Sequence, residues 1–181
     1  MMQVLTINHQ AEWRAYVKNS ANFDFYHTWY YHSLDNTGDP ILIVYQEGEN
    51  FIAFPLIKRA IPDTDLFDLT SVYGYTGPIS NMEFDNLDEL MKENFTREFR
   101  KFLHENNCVS VFSRLHSFFN QAPLMDKFEG IYENGKTVVI DLKLPIEVQR
   151  SKYQRRVLEK INALRRKGYY VKEGKTPEEV R

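Results

Sequence analysis

The chain has 181 residues, 43% of them hydrophobic and 27% charged, with a net charge of −2; this is enough apolar material for one domain with a real core, and it excludes a disordered chain. A single cysteine, Cys108, excludes an intrachain disulfide framework and fits a reducing compartment. No apolar run approaches the roughly 20 residues of a bilayer-spanning helix, and MMQVLTINHQ lacks a basic region followed by a long apolar stretch, so a cytoplasmic protein with no signal peptide and no membrane span is expected.

In chain order, Gln3 to Ile7 reads as a first strand. Ala11 to Asn19 predicts a helix, because Trp13, Tyr16 and Val17 recur at i, i+3 and i+4. Phe23 to Leu34 is rich in aromatics and predicts a short helix ending near Gly38. In PILIVYQEGENFIAFPLIKR, two β-rich runs flank Glu47-Gly48-Glu49-Asn50, a hairpin signal. Pro55 in the second run predicts an edge position or a bulge. Leu66 to Val72 predicts another strand and leads into SVYGYTGPIS, Ser71 to Ser80.

Leu87 to Asn106 is the longest helix of the first part, with Leu87, Leu90, Met91, Phe95, Phe99, Phe102 and Leu103 at helical period. Cys108 to Phe112 predicts a short buried strand. Gly130 to Leu144 predicts a second hairpin around Asn134-Gly135, the strongest turn signal in the chain. Pro145 opens a second long helix, Glu147 to Lys167, packed by a stripe of Tyr153, Val157, Ile161 and Leu164 and stopped by Gly168. Tyr169 to Lys172 begins a further strand. Hairpins mixed with helices predict an α/β (α+β) sheet covered by helices, not a purely parallel one.

Charge is unevenly spread. Residues 1–149 carry a net −9 and residues 150–181 a net +7, which predicts two physical roles along the chain. The basic helix reads either as a solvated face or as an anion site. The interleaved aromatics of nucleic-acid modules are missing from it. Cys108, with His104 and His116 near it, would suit a nucleophile and base, but it opens an apolar strand pattern and is read as a small buried residue. His27 and His32 are five apart, which does not place two metal ligands on one helical face, so no metal site is expected. RRKGYY, Arg165 to Tyr170, begins like a pyrophosphate loop, but it follows a helix and has Tyr170 where a small residue is needed. The opening run Tyr73 to Pro78 holds two tyrosines, two glycines and a proline. It reads as a tight turn or as the wall of a substrate pocket, and composition leaves both open.

Four stretches together are similar to a known family: DFYHTWYYHSL (Asp24 to Leu34), GDPILIVYQEGENFIAFPLIKR (Gly38 to Arg59), DLTSVYGYTGPIS (Asp68 to Ser80) and YQRRVLEKINALRRKGYYV (Tyr153 to Val171). The series resembles the first half of the Fem-type (FemAB-like) acyltransferases, the peptidoglycan-bridge aminoacyltransferases and their relatives in the GNAT superfamily. The resemblance implies one GNAT-like (acyl-CoA N-acyltransferase-like) domain over residues 1–146, with a central mixed sheet flanked by helices. Residues 147–181 would be a basic helix and the start of a truncated second GNAT-like half, the half that handles the donor.

The implied activity is acyl or aminoacyl transfer, or the acceptor-binding half of it, on cell-wall precursors. The donor would be acyl-CoA or aminoacyl-tRNA, with no tightly bound cofactor. The acceptor would be a UDP-linked precursor or another small molecule; tRNA is the one nucleic acid implied, and a homo-oligomer is a further expected partner. Gly77 and Pro78 would set a turn beside the acceptor cleft, with Tyr73 and Tyr75 lining it and His27, Trp29 or Tyr30 opposite. Arg155 and Arg156 would grip acceptor phosphates, since guanidinium matches phosphate bidentately. No residue is assigned a catalytic role. The alternatives are a non-catalytic interaction module of the same fold and a nucleic-acid-binding protein.

Overall fold

The computed structural model describes residues 1–180. The chain divides into two compact units, Met1–Asn134 and a second beginning at Gly135. In the first unit, strands β1 (Met2–Thr6), β2 (Asp39–Glu47), β3 (Asn50–Ala60), β4 (Phe67–Thr70), β5 (Ile79–Ser80) and β6 (Cys108–Phe112) form one mixed sheet. The order is β1-β2-β3-β4-β6, and β5 pairs with β3 off that path. Helices α1 (Gln10–Lys18), α2 (Trp29–His32), α3 (Glu89–Glu105) and α4 (Ala122–Met125) accompany it. This is the mixed open sheet flanked by helices that the order of elements predicts.

β2 and β3 read as continuous apolar runs because both faces of the sheet are covered. Ile41, Ile43 and Tyr45 alternate to one face, with Ile52, Phe54 and Leu56, and meet Met91, Phe95 and Phe99 of α3. Leu42 and Val44 alternate to the other, with Phe51 and Ala53, and meet Trp13 and Val17 of α1. Glu47 pairs with Asn50 across a two-residue turn in which Gly48 takes the left-handed conformation, φ 55°, where a side chain would be strained. α3 begins at Glu89 because the Asp88 carboxylate accepts from the Leu90 N–H at 2.7 Å.

Pro55 lies neither on an edge strand nor in a bulge. It stands opposite Leu42 of β2. On its other side β3 pairs with β5 only at Ile52 and Ala53 and with β4 only from Ile57 onward. Pro55 occupies the gap between them, where a residue without an N–H leaves no ladder bond unmade on that side.

The β4–β6 pair is parallel, whereas the other pairings are antiparallel. A parallel pair needs a long crossover, and α3 supplies it. The carboxyl ends of β4 and β6 therefore lie side by side, and so do the loops that leave them.

The second unit differs from its sequence expectations. The predicted hairpin around Asn134-Gly135 is not formed: residues 129–141 hold no strand, and Val138, Val139, Ile140 and Leu142 are exposed. A turn signal without a sheet or helix to cover the strands does not hold a hairpin together. The predicted strand at Tyr169 to Lys172 is absent for the same reason. The long helix is broken into α5 (Ile146–Ser151) and α6 (Arg155–Arg166), with Gln154 extended between them at ψ 136°; Ser151 and Tyr153 at the break are weaker helix formers than their neighbours. A last turn, α7, spans Pro177–Val180. The expected packing stripe is not buried, for Val157 is 39% exposed and Leu164 48%.

Core burial makes a direct prediction. Phe99 is 2% exposed and stacked with Phe95 at 5.6 Å, so Phe99→Ala is expected to lower stability by about 3–5 kcal/mol. Leu164→Ala should change it by less than about 0.5 kcal/mol. Urea titrations of the two variants against the parent check both.

Candidate functional site

Two loops meet at the carboxyl ends of the parallel pair: Ser71 to Pro78 after β4, and Ser113 to Gln121 after β6. Backbone and hydroxyl bonds join them. The Ser71 N–H donates to Phe112 O at 2.9 Å, the Thr76 N–H to Arg114 O at 2.9 Å, and the Arg114 N–H to Ser71 Oγ at 3.3 Å. Gln121 then ties them from within. Its Nε2 donates to Thr76 O at 2.8 Å and to Pro78 O at 2.7 Å, and its Oε1 accepts from the His116 N–H at 2.8 Å. Gln121 is 2% exposed, so losing any of these bonds leaves a buried polar group without water to replace its partner.

The glycines of YGYTGP follow from this packing. Gly77 has φ 76°, and a Cβ there would meet the Gln121 carboxamide at 2.5 Å. Gly74 has φ 129°, and a Cβ there would strike the Tyr26 ring at 2.2 Å. Both positions combine a conformation that favours glycine with a neighbour too close for a side chain.

A third segment closes the network. The 3₁₀ turn Phe25–His27 is capped by Asp24, whose carboxylate accepts from the Phe25 N–H. His27 Nδ1 accepts from the Asp24 N–H at 3.0 Å, and Nε2–H donates to Thr76 O at 3.2 Å. His116 lies against the same cap. Its Nε2–H donates to Asp24 Oδ2 at 3.1 Å, its Nδ1 accepts from the Phe118 N–H at 3.3 Å, and its ring stacks on Phe119 at 3.7 Å.

A histidine held by a carboxylate resembles half of a catalytic triad. Here both ring nitrogens of His116 are engaged, and none faces outward to take a proton from a substrate. The pair is a latch between segments 92 residues apart. Burial pushes His27 down to about 4, with the nearby His116 acting in the same direction. Burial likewise holds His32 at about 4; His32 Nδ1–H donates to Thr28 O at 3.1 Å, while Nε2 is buried without a partner. Both stay neutral at physiological pH. Cys108 is buried with its thiol pushed up by burial, and an un-ionised thiol is a poor nucleophile.

What the network presents outward is aromatic. Tyr73 is 82% exposed, and the Arg114 guanidinium sits over its ring at 5.6 Å. Tyr31 Oη donates to Tyr73 O at 2.8 Å. Tyr26 packs against Phe25 at 4.2 Å, Tyr31 at 5.4 Å and Tyr75 at 6.5 Å. Tyr73 and Tyr75 thus share a face with Tyr26, Tyr31 and Arg114. Gly77 and Pro78 are buried beneath it, and the crevice beside Pro78, between Asn22 and Phe119, holds only about 10 Å³. Trp29 turns away: its indole N–H donates to Ile7 O at 2.8 Å, and the ring packs on the cluster around Trp13. Arg155 and Arg156 belong to the second unit. There Arg155 pairs with Glu159 at 3.0 Å, and Arg156 donates to Gln154 Oε1 at 3.1 Å.

Sequence reasoning missed Asp24, Tyr26, Tyr31, Arg114, His116 in this role, and Gln121. Arg114 alone carried a signal, as a lone cation just past the end of a strand. The others depend on pairings across 42 to 92 residues.

No family model matches the chain, and no curated protein and no solved structure matches it. Among the described residues, no group of three His, Cys, Asp or Glu side chains is placed to hold a metal ion, and no helix is long and apolar enough to cross a membrane.

Two predictions come from this network. Gly77→Ala should cost at least about 1 kcal/mol, and Gln121→Ala about 2 kcal/mol or more. The double variant should cost less than the sum, because the Cβ added at Gly77 meets the carboxamide that Gln121→Ala removes; strict additivity in denaturant titrations would show that the two do not meet. The second concerns pH. In the folded chain His27 and His32 sit at about 4, below their ordinary 6.5, so between those values the unfolded chain binds two protons that the folded one does not. Stability is therefore expected to be full above about pH 6.5 and to fall toward pH 4, by up to about 1.4 kcal/mol per pH unit for each histidine. Urea midpoints measured across that range test it, and His32→Asn should flatten the slope.

Proposed function

We propose that the first unit is the acceptor-binding half of a Fem-type acyl- or aminoacyltransferase, in the GNAT-like class of fold, and that the face of Tyr73, Tyr75 and Arg114 receives the acceptor. One observation carries the reading: exposed tyrosines and an arginine stand on a backbone fixed by a buried amide network, at the carboxyl ends of two adjacent parallel strands. Ligands of open α/β sheets bind outside those ends. Tyrosine offers flat apolar area with a polar tip, which suits the faces and hydroxyls of sugars and peptides. Arg114 offers a planar cation for a carboxylate or phosphate. The YGYTGP run supports the reading from the side of the sequence.

The contribution of this half is positioning. Transfer of an activated acyl group to an amine is accelerated chiefly by holding the two together, so the acceptor half needs shape and charge more than a base. The donor, acyl-CoA or aminoacyl-tRNA, lies outside what these residues are placed to hold. A second reading, a non-catalytic binding module using the same face, is favoured by the full engagement of His116 and the burial of Cys108.

Titration calorimetry with a UDP-linked cell-wall precursor and with free muropeptide tests the site. Tyr73→Ala and Arg114→Ala should each weaken binding by about tenfold, the loss of one stacked or charged contact, with unchanged thermal stability. Absence of binding to either compound overturns the acceptor assignment. Acyl or aminoacyl transfer to a bound precursor on adding a donor separates the enzyme from the binding module.

A further inference from the structure

We propose that the second unit docks through α6 on an anionic lipid surface. The inference is independent of the acceptor site, since it uses no residue of the first unit. α6 carries Val157, Ile161 and Leu164 on one side, within an arc of about 60° at 100° per residue. On that strip Val157 and Leu164 are exposed and Ile161 is half-buried. Arg155 and Arg166 fall on the opposite side of the helix. Lys160 and Arg165 flank the strip, about 60° and 80° from Val157. Flanking cations of this kind can lay their alkyl stems along an apolar boundary while their charged heads reach the polar layer.

Charge and composition around the helix point the same way. Residues 146–168 hold eight Lys or Arg against two Glu. One of those acids, Glu159, is already paired with Arg155 at 3.0 Å. Just beyond the end of α6, Tyr169 and Tyr170 are exposed; aromatic rings with polar edges favour the headgroup boundary of a bilayer. A short amphipathic helix with low overall hydropathy and a cationic polar face is the composition that lies in the plane of an interface.

A polyanion such as RNA is the competing occupant. It would account for the cations and, by base stacking, for the two tyrosines, but leave the apolar strip in water. An anionic bilayer accounts for both at once, because its surface potential attracts the cations and its acyl boundary accepts the strip. The geometry therefore favours lipid.

The test uses the full chain. Co-sedimentation is measured with vesicles of phosphatidylcholine alone and of phosphatidylcholine with phosphatidylglycerol, at low and high salt. Binding is expected only to the vesicles with phosphatidylglycerol, weakening as salt rises. The variant Val157→Ala/Ile161→Ala/Leu164→Ala keeps the charge and the helix propensity, and it should bind those vesicles about tenfold or more weakly. Leu164→Trp provides a second measurement that needs no loss of function. Its added emission should shift to the blue with the anionic vesicles and stay unchanged with phosphatidylcholine or with an RNA oligonucleotide. The proposal is overturned if the triple variant binds like the parent, if the tryptophan stays in water, or if RNA binds more tightly than the anionic vesicles.

Discussion

The carboxamide of Gln121 is the constraint on which the first unit's functional end depends. It ties both loops that leave the parallel strands with three bonds from one buried side chain: it donates to the loop after β4 at Thr76 and Pro78 and accepts from its own loop at His116. A carbonyl at such a position could accept but not donate, and a hydroxyl could not span both loops. Gln121 needs Gly77 because no side chain fits between them. It also fixes Thr76 O, which serves His27 as a second donor's acceptor. From one amide the order runs outward to the 3₁₀ turn, to Tyr26 and Tyr31, and so to the exposed ring of Tyr73.

The network is polar and yet buried, which makes it all-or-none. Its amide, imidazole and backbone members are satisfied by one another, while the buried hydroxyls of Thr76 and Ser113 have no partner, and each bonded group would be costly alone. The histidines illustrate the choice of chemistry. A lysine or a charged imidazole at position 27 would have to shed its hydration; a neutral imidazole links Asp24 to Thr76 with one accepted and one donated bond. The same neutrality removes His27 and His32 from acid–base chemistry, and the double engagement of His116 removes it too. Conspicuous histidines in a sequence can be structural joints, and these three are.

Much of the first unit was legible because its information is local or periodic. The β2–β3 hairpin announces itself in alternating apolar residues around Gly48. α3 does so in the helical spacing of its phenylalanines. The tight backbone at Gly77 and Pro78 was visible as a turn. The reason for the turn was not, since Gln121 lies 45 and 43 residues from its acceptors and nothing near it in sequence marks an amide as buried. Tyr31 escaped for the same reason, bonding to Tyr73 O 42 residues away. Trp29 illustrates the converse error. The family resemblance placed it opposite Tyr73 and Tyr75, but a helical turn rotates successive side chains by about 100°, and its indole turns toward Ile7. In the second unit, local signals overpredicted structure. Asn134-Gly135 favours a turn, but a turn makes a hairpin only where strands find a face to cover, and Val138 to Leu142 find none.

The contrast between those two outcomes bears on how each unit meets a partner. In the first, the exposed tyrosines rest on a backbone tied from beneath by Gln121 and His27, so a ligand at the proposed acceptor face would meet a fixed backbone. Little ordering entropy remains to be lost on binding, and the contact energy is retained as affinity. That arrangement suits a small ligand that must be held at one distance and angle. In the second, Val157 and Leu164 of α6 and the run Val138 to Leu142 are exposed, and the charge is diffuse with an excess of cations. Such a surface gains from breadth of contact and not from exact fit. It discriminates by charge and by the depth to which apolar groups are taken up, which is the recognition a continuous interface offers and a single pocket does not. Rigid aromatic presentation and diffuse cationic amphipathicity are thus different solutions to binding, and the change of charge along the chain coincides with the change from one to the other.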